Sequence, residues 1–160
     1  MFASTQDNQL ITRVLTSGKT VAMVGVSTIK NEESSTMLRR RPSIIVMKYL
    51  QEFGYRVMPV NPYSVGKKIH GETVVAKLED INIPIDIVNV FRPSKEVPTI
   101  AKQAVKIGTK VLWLQYGIQN QEAQEIVESA NITYIANKCI KQEYQRLFLK
   151  VSPVFPALKK

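Results

Sequence analysis

The sequence predicts an α/β protein built in three layers, with helices covering both faces of a parallel sheet. Short apolar runs alternate along the chain with stretches whose apolar residues recur every three or four positions. Runs of that kind read as strands buried on both faces, and the stretches between them as the amphipathic helices that do the covering. Glycines stand where helical stripes stop, at Gly54 and Gly108, where a left-handed residue commonly ends a helix. Right-handed crossovers leave few ways to connect such elements, and the most economical is a Rossmann-type doubly wound sheet of about five parallel strands.

Taken in order, Leu10, Ile11, Val14 and Leu15 share one face of a helix that precedes the first strand. Thr20-Val21-Ala22-Met23-Val24 is a buried strand ending at Gly25. Val46, Tyr49, Leu50 and Phe53 fall at i, i+3, i+4 and i+7, on a helix that Gly54 can end. Tyr55 to Val60 is the second strand, and Pro59, with no N–H to give, puts its end near the edge of the ladder. Asp86 to Phe91 is the third strand. Val97, Ile100, Ala101, Ala104 and Val105 form the next helical stripe, and Lys110 to Leu114 the fourth strand. Ala123, Ile126, Val127 and Ala130 mark another helix, Ile132 to Ala136 a fifth strand, and Tyr144, Leu147 and Phe148 a closing helix. Residues 1–150 are expected to form one domain. Residues 151–160, with Pro153, Pro156, Lys159 and Lys160, are expected to be a loosely attached tail.

Composition narrows the function classes. With 44% apolar and 22% charged residues in 160, the chain has the balance of a globular protein rather than a disordered or collagen-like one. No stretch approaches the ~20 apolar residues of a membrane span. The start, Met1 to Asp7, lacks the charged-then-apolar pattern of a signal peptide. The single cysteine, Cys139, cannot close an internal disulfide, which fits a reducing compartment; the cytoplasm is the expected location. A net charge of +9 points to a polyanionic partner (nucleic acid, anionic membrane or phosphorylated cofactor) or reflects surface composition alone. No nucleic-acid motif accompanies the charge, and aromatic residues, 8% of the chain, are mostly assigned to the core. Neither nucleic acid nor membrane is therefore expected as a partner.

In a doubly wound sheet ligands bind beyond the carboxyl ends of the strands, so the segments just after each strand carry the information. After the first comes Gly25-Val26-Ser27-Thr28, where a glycine lets backbone approach a phosphate and two hydroxyls can donate to it. The second and third glycines of a dinucleotide fingerprint are missing, and the alternative for Gly25 is a plain tight turn. After the second strand, Val60-Asn61-Pro62-Tyr63 has no carboxylate to grip a ribose, while Gly66-Lys67-Lys68 follows closely. Cations without an anion suit a ligand with an extra ribose phosphate, as in NADP or coenzyme A, or are an ordinary solvated turn. Arg92 after the third strand is placed to reach a phosphate, and Ser94 to cap the next helix. Gln115-Tyr116-Gly117 after the fourth lets a ligand chain lie close to backbone, with Trp113 and Tyr116 read as core or wall. Arg39, Arg40 and Arg41, ahead of Pro42-Ser43, are either a phosphate clamp or a solvated flap.

Catalytic groups are not evident at these loops. His70 is the only histidine and has no serine or cysteine partner in pattern, no His/Cys/Asp group has metal spacing, and Cys139 reads as packing at a helix start. The residues offer binding groups without a reaction centre. An NADP-dependent oxidoreductase is the alternative, and it needs a proton donor that His70, Tyr63 and Tyr116 do not evidently supply.

The same segments resemble the small, stand-alone YccU-like CoA-binding proteins, a family related to the CoA-binding domain of the succinyl-CoA synthetase α subunit. The likeness runs from about Lys19 to Phe148, through Val24-Gly25-Val26-Ser27, Arg41-Pro42-Ser43, Gly54-Tyr55-Arg56-Val57, Pro59-Val60-Asn61-Pro62, Gly66-Lys67, Asp86 to Pro93 and Leu112 to Gly117. The resemblance implies a five-stranded parallel sheet holding coenzyme A, or an acyl-CoA, across its strand ends. It implies that Gly25, Val26 and Ser27 line the pyrophosphate turn, with Arg41 nearby, and that Lys67 faces the nucleotide phosphates. Asn61, Pro62 and Tyr63 would lie near the adenosine, Phe91, Arg92 and Pro93 along the nucleotide or pantetheine arm, and Gln115, Tyr116 and Gly117 at the far side of the cleft. The stretch from Lys30 to Arg41 is longer than the family pattern, and the resemblance does not extend to the ligase domain with its phosphorylated histidine. The resemblance therefore implies binding of coenzyme A without catalysis, as a sensor or a module serving a partner.

Overall fold

A computed structural model describes residues 5–26 and 42–150. The expectations placed on Ser27, Thr28, the stretch from Lys30 to Arg41 and the tail 151–160 lie outside the described residues. Helix α1 (Thr5–Ser17) precedes β1 (Thr20–Val24); helix α2 (Pro42–Glu52) leads into β2 (Arg56–Val60). A hairpin of β3 (Lys68–Ile69) and β4 (Glu72–Thr73) and a 3-10 turn (Leu78–Asp80) intervene before β5 (Ile87–Val90). A second 3-10 turn (Ser94–Glu96) runs directly into α3 (Val97–Ile107). Strand β6 (Val111–Leu114), α4 (Gln121–Ser129), β7 (Thr133–Ile135) and α5 (Ile140–Tyr144), prolonged by a π-helical turn (Gln145–Leu149), complete the chain.

The main sheet has five strands in the order β2-β1-β5-β6-β7, all parallel. The chain starts beside the middle, winds one way to β2, then reverses and winds the other way, which defines a doubly wound, Rossmann-like sheet. Side chains alternate between two cores. Val21, Met23, Ile87, Val111 and Trp113 face α1, α2 and α5, while Ala22, Val88, Val90, Leu112 and Leu114 face α3 and α4. That division explains why the strands read as uninterrupted apolar runs: both faces are covered, so neither can be polar.

The boundaries differ from the sequence reading by a residue at most strand ends, and the reasons are local. Asp86 is not in β5; its Oδ2 accepts the N–H groups of Lys19 (2.8 Å) and Thr20 (3.2 Å) and the Thr20 hydroxyl (3.2 Å), pinning β1 to β5 at the amino edge. Tyr55 precedes β2, buried, with its hydroxyl donating to Leu15 O. Burial, with Tyr144 nearby, pushes that hydroxyl up to about 12. Phe91 lies past β5 although its N–H still reaches Val24 O at 2.8 Å. Pro59 does sit on an edge strand, where its missing N–H is harmless and its carbonyl accepts from Val75 N–H. Ser94 does not cap α3: Glu96 holds the N-cap position, and the Ser94 hydroxyl accepts from Gln119 N–H instead. Trp113 is wholly buried, its Nε1 donating to Lys138 O at 2.8 Å.

Candidate functional site

Strands β1 and β5 are neighbours whose connections leave in opposite directions, so a crevice opens where their carboxyl ends meet. Gly25 stands there with a φ of 100°, a conformation that favours glycine, and its N–H donates to Val60 O at 2.9 Å. A Cβ at Gly25 would lie 2.9 Å from Arg92 Cδ, so the stem of Arg92 is laid directly over the glycine. Asn61 ties the neighbouring loops together. Its Nδ2 donates to Val26 O (2.8 Å) and its Oδ1 accepts from Tyr63 N–H (2.8 Å), which turns the chain and turns Tyr63 out into solvent, 88% exposed.

Two hollows flank this point. One, of about 580 Å³, lies on the α3 side and is lined by Gly25, Asn61, Tyr63, Lys77, Arg92 and Lys95 among others. The second, of about 770 Å³, lies on the other side of the sheet between α2 and α5, lined by Phe91, Gln115, Tyr116, Cys139 and Lys141. Phe91 and Arg92 are consecutive, so their side chains leave the backbone in opposite directions and each lines a different hollow.

The electrostatics of the first hollow centre on an ion pair. Arg92 donates from Nε to Glu96 Oε1 (2.9 Å) and from Nη2 to Oε2 (2.8 Å), a two-pronged pair at i, i+4 spacing. The hydrogen bonds from Arg92 hold the Glu96 carboxyl below the usual carboxylate range, and Glu96 raises the Arg92 guanidinium in return. Lys77 and Lys95 add two further cations to the same hollow.

The structure brings Gly25, Asn61, Pro62, Tyr63 and Arg92 together in one hollow, and Phe91, Gln115 and Tyr116 in the other. Val26 is buried behind them and contributes its carbonyl to Asn61. Pro93 and Gly117 sit at the rim without lining either hollow; Gly117 N–H donates to Asn137 Oδ1 at 2.6 Å. Lys67 is exposed on the turn before β3 and lines neither hollow. The two cations that join Arg92 in the first hollow, Lys77 and Lys95, escape the sequence reading, as does Glu96. The Arg92-to-Glu96 spacing on a helix start was a readable signal, but the lysines sit in segments that only the folded chain brings face to face.

The residues fit coenzyme A. Gln115 lines the second hollow, and its Oε1, closed off from solvent in this structure, has no hydrogen-bond partner among the described residues; a turn of the side chain would offer that acceptor to an amide N–H such as those of a pantetheine arm. In the first, cations and an exposed tyrosine ring match phosphates and a base.

A doubly wound domain with a cationic crevice at its switch point is the build of a nucleotide-type cofactor binder. Comparison with known proteins is more specific: residues 19–145 match the family model described as the CoA binding domain, and the chain belongs to that family. It is 35% identical over 131 residues to the uncharacterized protein YneT of Bacillus subtilis, covering 82% of this chain and 89% of that one. A solved structure from Thermus thermophilus, cell-free ID.343, is 35% identical with a TM-score of 0.78, over 88% of this chain and 98% of that one. A hypothetical protein from Pyrococcus horikoshii is 34% identical with a TM-score of 0.76, over 88% and 91%. The resemblance drawn from the sequence is thereby established. The oxidoreductase alternative finds no support in these comparisons.

Proposed function

We propose that this chain binds coenzyme A or an acyl-CoA across the carboxyl edge of its sheet and catalyses no reaction of its own, serving in the cytoplasm as a sensor or a module for a partner enzyme. The adenosine phosphates occupy the hollow of Asn61, Tyr63, Lys77 and Lys95. The pantetheine arm crosses at Phe91 and Arg92 into the hollow of Gln115 and Tyr116. The observation that carries this reading is the pair of hollows flanking the switch point, one lined by Arg92, Lys77 and Lys95, the other by Phe91, Tyr116 and the side-chain amide of Gln115. A long ligand with a charged head and an amide tail matches that division. Residues 1–150 act as the binding unit.

Isothermal titration tests it. Coenzyme A binds with a Kd of about micromolar or tighter, and Lys95→Glu weakens that by about tenfold, because a cation facing phosphate becomes an anion. Absence of binding at about 1 mM coenzyme A, some 4 kcal/mol of affinity, or tighter binding of NADP, overturns the reading.

A further inference from the structure

The Arg92–Glu96 pair is a cation and an anion facing the same crevice, both lining the hollow assigned to the phosphates. Three observations bear on what it does there. The stem of Arg92 is laid over Gly25, where even a Cβ would come within 2.9 Å of it, so the guanidinium is held at the switch point. The edge of that guanidinium best suited to a two-pronged anion, Nε with Nη2, is already taken by the Glu96 carboxylate. And both side chains are 39% exposed, which leaves the pair screened by water and weak.

We propose that Glu96 is the ligand's built-in competitor: its carboxylate occupies the part of Arg92 that a ligand phosphate takes, and binding exchanges one anion for the other. This rests on the coenzyme A reading and names a residue that sets affinity within it. A phosphate entering the hollow meets a guanidinium that is oriented in advance but neutralised. Two anions on one guanidinium repel, so the carboxylate swings out to solvent as the phosphate arrives, and the chain loses its own ion pair to gain the ligand's. Glu96 thus lowers affinity while the stem over Gly25 keeps Arg92 aimed, and anions too weakly charged to displace the carboxylate are rejected.

A two-by-two titration with coenzyme A tests this, using the full chain as wild type, Glu96→Gln, Arg92→Gln and the double variant, with thermal melts to confirm folding. Glu96→Gln lowers Kd by about three- to fivefold, the range set by an exposed pair of this kind. On the Arg92→Gln background the same substitution leaves Kd unchanged, because the competition has no object. An equal gain on both backgrounds means that Glu96 acts only through the general field of the crevice, and overturns the exchange. A loss of affinity in Glu96→Gln means that the carboxylate is needed to hold Arg92, and overturns it as well. Failure of all four folded proteins to bind coenzyme A strikes instead at the coenzyme A reading on which the exchange stands.

Discussion

Asp86 lies at the amino edge of the sheet, the edge away from the crevice, and its role is mechanical. Burial works against its ionisation, but the N–H groups of Lys19 and Thr20, the Thr20 hydroxyl and the more distant Lys110 ammonium together hold the carboxyl below the usual aspartate range. A carboxyl with a depressed folded pKa adds stability above its unfolded pKa, and that stability is lost as pH falls through the folded value. Asp86→Asn keeps the shape but not the charge and is expected to cost about 1–3 kcal/mol at neutral pH. Urea denaturation at pH 7 and again below pH 4 measures it: the variant's deficit shrinks on acidification, and its affinity for coenzyme A stays at the wild-type value. A deficit that is the same at both pH values contradicts the assignment. Sequence reading placed Asp86 in a strand, because strand pattern reveals alternation and not which carboxylate will find backbone donors 66 residues away.

At the scale of elements, the crevice is built by what ties the loops after β1, β2 and β5 to one another. Gly25 N–H reaches the end of β2, Phe91 N–H reaches the end of β1, and Asn61 spans from the β2 loop to Val26. Asn61 therefore has a structural task of its own: it fixes the loop that carries Tyr63. Asn61→Ala removes two side-chain hydrogen bonds and leaves the carbonyl of buried Val26 without its donor, at an expected cost of about 1–2 kcal/mol. Affinity for coenzyme A falls with it, and calorimetry alongside thermal denaturation separates the two effects. Asn61→Asp keeps the acceptor for Tyr63 N–H but sets a carboxylate oxygen against Val26 O and an anion in the hollow proposed for the phosphates, so it is expected to bind coenzyme A more weakly than Ala. If Asn61→Ala binds as tightly as wild type, the loop does not depend on this clamp. The family resemblance is what marks the asparagine as a candidate, and no local pattern reveals its bracing of Val26, since the two are 35 positions apart.

The whole molecule carries a net charge of +9, and coenzyme A carries about four negative charges by phosphate ionisation. Part of the attraction is therefore long-range and screened by salt. Raising salt from about 0.1 M to about 0.5 M should weaken coenzyme A binding by at least about threefold, chiefly through slower association, which stopped-flow measurement reads directly. Affinity indifferent to salt would assign recognition to contacts other than charge. The covered sheet supplies a rigid frame for this attraction: helices on both faces leave the carboxyl edge as the place where backbone, cations and a hollow coincide.

By itself the sequence determined the layers, the strands and the loops that matter, because those follow from local periodicity and from residues next to each strand end. Gly25, Arg92 and the Gln115-Tyr116-Gly117 loop are candidates on that ground, while Asn61 and Phe91 are candidates through the family resemblance. Only the tertiary structure places Lys77 and Lys95 beside Arg92 in one hollow, leaves Lys67 outside it, and opens Phe91 and Arg92 onto different hollows. It alone revealed Arg92 already bound to Glu96. The physical reason is one of range. A strand's pattern is written in neighbours along the chain, but a charge is valued by neighbours in space, and those are set by how the sheet is wound.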